Sequence, residues 1–211
     1  RAGERIRLLG IDAPEKGDPF SVLSTRRLTE LVGHKRVTLQ LCEDRDIYGR
    51  LLATVNADGA NINDIMLREG MALPMLIPPC GRPVASDVLI SAAMGVLNGR
   101  GIYSLAGYRI IPQLEAGSHI GEHAIVRGNI LELHQGPKAW HFNFGKDWKK
   151  DFSVVLFKDG RQRFHDLGID PAHVVGMEVL VIGKIRSYNG PEIIVSGPDQ
   201  IIPLEEKAIQ D

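Results

Sequence analysis

The chain has 211 residues, 44% hydrophobic and 24% charged, which is ordinary globular composition and enough length for one large or two small domains. Its 25 basic and 26 acidic residues nearly cancel, so no global positive field announces a nucleic-acid partner, and any such contact must come from local patches. No apolar run approaches the roughly 20 residues needed to cross a bilayer, and the two cysteines, Cys42 and Cys80, are too few and too far apart for a zinc site.

Those cysteines fit either two free thiols or one disulfide. Arg5 to Ile11 reads as a strand, and Ser21 to Val32 as a helix stopped by Gly33. Val37 to Leu41 is a second strand, followed by the charged turn "EDRDIYGR". Leu51 to Asn56, the Asp58-Gly59 pair and the short "ANI" form a hairpin, since Asp-Gly suits the primed turns that match strand twist. Helix signals then take over. Asn63 can cap a helix carrying Ile65, Met66 and Leu67, and Ser86 another with Leu89, Ala92, Ala93, Val96 and Leu97 at helical spacing. Between them "LPMLIPPCGRPV" holds four prolines within ten positions, which predicts an irregular loop.

After residues 111–118, taken as a linker, helical signals almost vanish. Strands are expected over 124–134, 139–145, 151–158, 177–187 and 191–196, with a short helix from Asp170, its cap, through Pro171 to Val175. Three strands, a short helix and two strands is the element order of an OB-fold, a five-stranded partly open barrel. Trp140, Phe142 and Phe144 alternate onto one strand face as expected core, leaving His141 and Asn143 facing solvent. Trp148 lies in "KDWKK" among Lys146, Lys149 and Lys150, where a base could stack while lysines follow phosphates. Of the seven histidines, only His119 and His123 have helical ligand spacing, in a boundary and strand context that leaves them as surface residues.

The chemistry concentrates in "RIRLLGIDAPEKG". Strand alternation would put Arg7 and Asp12 on opposite faces, but Gly10 can mark a bulge that re-aims the residues after it. Pro14 stiffens the bend carrying Asp12 and Glu15. Arg50 of the charged turn could then join Arg7 in clamping a phosphodiester, with Glu15 orienting or deprotonating a water. On spacing alone, an Arg7 ion pair that merely closes a strand exit explains the same residues.

Four motifs in order, "RLLGIDAPE", "DIYGRLLATV", "DGANINDIMLREGMA" and "AAMGVLNGRGIYS", closely resemble the staphylococcal nuclease (thermonuclease) family. The resemblance implies a calcium-dependent phosphodiesterase acting on DNA and RNA, on an OB-type barrel with three helices. It makes Arg7 and Arg50 the phosphate clamp, Glu15 the general base, Asp12 a Ca2+ ligand beside the backbone carbonyl of Ala13, and Tyr48 a substrate contact. It also implies two further strands before Arg1 bearing a second calcium aspartate, and favours a bacterial periplasmic or secreted location. The second half resembles the OB-type nucleic-acid-binding domain that comes after nuclease-like domains in some bacterial proteins.

The expected protein is therefore mainly β with helices, in two OB-like five-stranded barrels, the first lacking its first strands. Its parts are a nuclease-like domain over 1–110, the linker, an OB-like domain over 119–206 and a tail over 207–211. The expected partner is single-stranded DNA or RNA, with no membrane; the oligomeric state stays open. A catalytically silent nucleic-acid or protein-binding module on the same fold is the alternative, and an oligosaccharide ligand for the second barrel a weaker one.

Overall fold

The computed structural model describes residues 3–204. The chain divides into two compact units between Ile102 and Tyr103, each a mixture of β-strands and helices. Residues 111–118, expected as a linker, belong to the second unit: Ile110–Pro112 pairs with a neighbouring strand and Ala116 is fully buried. The expected tail lies outside the described residues.

In the first unit the expected strand Arg5–Ile11 is two short strands, β1 (Ile6–Leu8) and β2 (Gly10–Asp12). Gly10 sits at φ +80, where a side chain is strained, and a Cβ there would also run into Val88. The chain turns between the two strands and joins two different partners. After helix α1 (Ser21–Val32), β3 (Val37–Arg45) runs antiparallel to β4 (Leu51–Ala57), and β1 lies parallel to β4 on its other side. Asp58 and Gly59 both take positive φ, as a primed hairpin turn demands, and lead into β5 (Ala60–Asn61).

Helix α2 (Ile62–Arg68) is capped by Asn61, whose side chain accepts from the Asp64 N–H, rather than by Asn63. Asn63 is instead buried inside the unit. Its Nδ2 donates to the carbonyls of Leu9 (2.7 Å) and Ala53 (3.3 Å), and its Oδ1 accepts from the Val55 N–H at 3.0 Å. A bidentate pair between Arg27 and Glu69, 2.6 and 2.7 Å, ties α1 to the end of α2.

The proline-rich segment begins as a strand, β6 (Leu73–Met75), paired antiparallel with β2. A 3-10 turn over Arg82–Val84 then leads directly into α3 (Ala85–Asn98), so Ser86 lies within the first turn and is not its cap. Cys42 and Cys80 form a disulfide that staples β3 to this segment, with Leu9 and Leu52 packed alongside.

The second unit runs β7 (Ile110–Pro112), a 3-10 helix over Gln113–His119, β8 (His123–Asn129), β9 (Glu132–Gln135), β10 (Trp140–Asn143) and β11 (Ser153–Leu156). Helix α4 (Lys158–Asp166), β12 (Glu178–Ser187), β13 (Pro191–Ile194) and β14 (Ile201–Pro203) come next. Pairing proceeds β8, β12, β13, β11, β10, β9, with β11 and β13 parallel. Only Ile130 and Leu131 separate β9 from β8, so this path starts and ends on one stretch of chain. That arrangement is consistent with the OB-like barrel expected from element order.

Phe142, Phe144, Phe152, Val154 and Ile185 fill this unit's core, with Trp140 partly buried against it. Asp170 caps the expected short helix, a 3-10 turn over Pro171–Val174, by accepting from the Ala172 N–H at 2.9 Å. Helix α4 is not among the elements expected from the sequence. Its residues are nearly all polar and include Gly160; Phe164, docked into the core, anchors it.

Candidate active site

β1, β2 with the bend that follows it, and the turn between β3 and β4 carry the expected catalytic side chains. Arg7 stands on β1 with its side chain only 17% exposed, and its Nη2 donates to Asp12 Oδ1 at 2.9 Å. The break at Gly10 thus brings together two residues that a straight strand would hold apart. Met75 on β6 closes the other side, its sulfur 3.3 Å from the same nitrogen.

Arg50 is fixed just as firmly. Its Nε donates to Asp46 Oδ2 at 2.6 Å, and the guanidinium lies 5.4 Å from the ring centre of Tyr48. Asp46 Oδ1 in turn accepts from the backbone N–H groups of Tyr48 (3.0 Å) and Arg50 (2.9 Å), the local turn chemistry that makes aspartate common there. The Tyr48 ring is exposed, and its carbonyl accepts from Arg5 at 3.2 Å. Because Arg7 pairs with Leu52 across β1 and β4, Arg50 lies one strand over and two residues back.

Partial burial pushes the Asp46 carboxyl upward, but the backbone and side chain of Arg50, with the Tyr48 N–H, outweigh it and hold the group below the usual carboxylate range. Its ionised form is thus favoured by folding, so its stabilising effect is complete above the ordinary aspartate pKa and is lost as pH falls through the lowered one. Asp46→Asn is expected to lower the urea midpoint of the first unit at pH 7. The two proteins should converge in acid, below the depressed pKa.

Asp12 is half exposed, and Glu15 is exposed. The Glu15 backbone closes a turn with Asp18, and its carboxylate has no partner among the described residues. No group of three His, Cys, Asp or Glu side chains gathers into a cation cage among the described residues. Asp12 and the Ala13 carbonyl are oxygen donors of the kind a hard cation takes, but they are few beside the roughly six to eight that calcium gathers.

Residues 5–81 match the family model described as "Staphylococcal nuclease homologue". This stretch is a staphylococcal nuclease homologue domain. Its arginines, carboxylates and Tyr48 all fall within the matched range. The chain is also 47% identical over 73 residues to an uncharacterized endonuclease of Escherichia coli O157:H7, covering 34% of this chain and 47% of that protein. It is 41% identical over 78 residues to a micrococcal nuclease of Shigella flexneri, covering 32% and 44%. Over 77 residues it is 35% identical to the endonuclease YncB of Bacillus subtilis strain 168, covering 33% and 36%. The chain thus spans less than half the length of each of these relatives.

Within the nuclease-homologue domain, Asp46, Met75 and Arg5 contact the expected site residues without being singled out by the sequence. Asp46 has a usable signal, an aspartate opening the turn that ends in Arg50. Met75 has none, because its role depends on β6 pairing with β2. In the second unit Trp148 is exposed, with Lys149 Nζ 5.3 Å from its ring centre. Lys150 pairs with Asp147 at 3.4 Å, and Lys146 is exposed on the same loop. His141 and Asn143, expected simply to face solvent, are half buried in the wall of a cavity.

Proposed function

We propose that the protein is a calcium-dependent nuclease that hydrolyses phosphodiester bonds, and that its second unit holds single-stranded DNA or RNA. One observation supports the catalytic part most. Asp12 and Asp46 each hold one edge of an arginine, leaving the remaining N–H groups of Arg7 and Arg50 to a ligand. Two guanidiniums, one on β1 and one just before the neighbouring β4, suit the oxygens of one phosphodiester.

In this reading water attacks phosphorus, Glu15 accepts its proton, and the bond to the departing sugar oxygen breaks. Arg7 and Arg50 stabilise the charge that grows on the phosphoryl oxygens. Asp12 and the Ala13 carbonyl would hold calcium, with water and phosphate oxygens completing its shell; the ion would neutralise phosphate charge. Tyr48, exposed beside Arg50, contacts the substrate. The Cys42–Cys80 disulfide supports an oxidising location, periplasmic or secreted.

The test is cleavage of single-stranded DNA and RNA with calcium, with chelator, and by Glu15→Ala. Calcium should support cleavage, and Glu15→Ala should lower the rate by about 10²–10⁴-fold. Cleavage indifferent to chelator or to Glu15→Ala overturns the mechanism, and binding without cleavage points to a silent module.

A further inference from the structure

The second unit has a cavity of about 450 Å³ on the outer face of its sheet, large enough for a small-molecule-sized group. Its floor is a row of cross-strand neighbours: Glu132 on β9 pairs with Asn143 on β10, which pairs with Ser153 on β11, which pairs with Glu192 on β13. His134 and His141 form the next row, 6.5 Å between ring centres. Trp148 and Tyr188, 54% and 71% exposed, stand at the rim.

Glu192 is the unusual member. The residue is only 8% exposed and borders the cavity; its carboxylate has no hydrogen bond among the described residues and feels the charge of Arg186, its cross-strand neighbour on β12. A carboxylate largely withdrawn from water and opening onto a cavity can take hydrogen bonds from a ligand's donors in place of water. Among the described residues two carboxylates and no lysine or arginine line the space, with Arg186 beside Glu192 on β12, so the cavity itself favours a neutral donor group over a phosphate. A cationic peptide is disfavoured as well, because Lys146, Lys149 and Lys150 crowd the loop that carries Trp148.

We propose that this cavity takes one unpaired nucleobase, and that Glu192 selects guanine. Guanine alone among the common bases presents two adjacent N–H donors, N1–H and N2–H, to the two oxygens of one carboxylate. Trp148 and Tyr188 supply rings on which a base stacks, and the neighbouring lysines suit the phosphates outside. The inference rests on the proposed role of the second unit in binding nucleic acid.

The test uses the full chain, in chelator, with a fluorescent oligothymidylate carrying one central dG, inosine, dA, dC or dT, read by anisotropy at fixed salt. The dG oligonucleotide should bind about tenfold tighter than the dT one, and inosine, lacking the N2 amino group, should fall between. Glu192→Gln should reduce the preference to about twofold or less, while Lys149→Ala weakens all the oligonucleotides alike and keeps their ratio.

Burial raises the Glu192 carboxyl above its ordinary value, more than the charge of Arg186 lowers it, so ionising it opposes folding at neutral pH. Glu192→Gln should therefore unfold at or above the wild-type temperature at pH 7, which separates lost selectivity from lost fold. Equal binding of all the oligonucleotides, or a preference that survives Glu192→Gln, overturns the base pocket while leaving nucleic-acid binding intact. Absence of binding to any of them overturns both.

Discussion

Arg50→Lys is expected to lower kcat for single-stranded DNA by about 10²–10³-fold, with KM nearly unchanged. Lysine keeps the positive charge but not the planar fork. In the folded protein Arg50 spends its Nε on Asp46, which holds the guanidinium in place and leaves both terminal nitrogens for the phosphate of the proposed mechanism. A lysine ammonium could satisfy Asp46 or the phosphate, and its flexible stem would not be held for either. In the proposed mechanism the charge that Arg50 stabilises appears mainly in the transition state, so the loss should fall on kcat. Steady-state kinetics with a thermal unfolding curve of the same variant checks this. A rise in KM at constant kcat would reassign Arg50 to ground-state binding, and a collapsed unfolding curve would make it structural.

Much of the first unit is legible along the chain because its signals are local. Helix α1 spans the expected residues, and the Asp58-Gly59 turn has the backbone that its sequence calls for. Gly10 is the expected device for letting Arg7 reach Asp12, and the 2.9 Å contact agrees with that role. The misassignments share a cause. Asn61 and Asn63 both lie at the start of α2, and cap propensity cannot choose between them. The choice is made by burial, since Asn63 is needed where the backbone groups of Leu9 and of β4 converge. Likewise a proline-rich run looks irregular until β2 offers its open edge to Leu73–Met75.

The second unit shows the same division. Alternation along Trp140–Phe144 correctly separates core from the other face, yet it leaves that face featureless. Its content comes from register: Glu132, Asn143, Ser153 and Glu192 are scattered over 61 positions of sequence and form one row only after four strands pair. Helix α4 is hidden in the sequence because one of its own residues, Phe164, packed into a core built by other elements, stabilises a stretch of low intrinsic propensity.

Asn63→Leu is expected to destabilise the first unit by about 3 kcal/mol. Leucine has the same branching and is larger, so the change opens no space; what it removes is a set of hydrogen bonds in a place water does not reach. The Val55 N–H loses its acceptor and the Leu9 carbonyl its donor, while the Ala53 carbonyl keeps the Leu9 N–H at 2.8 Å. Two buried backbone groups are left unpaired, each costing about 1–3 kcal/mol. The effect should also reach the chemistry without Asn63 touching substrate. Leu9 is the single residue between β1, which carries Arg7, and β2, which ends at Asp12, so releasing its carbonyl loosens the hinge that sets the Arg7–Asp12 contact. Urea unfolding should show the lost stability, and cleavage assayed well below the variant's melting temperature should still be slower than wild type. A loss below about 1 kcal/mol, the scale of one ordinary hydrogen bond, would mean that the strands satisfy these groups without Asn63. Full activity at unchanged Arg7 geometry would mean that the hinge is held by β1 and β2 pairing alone.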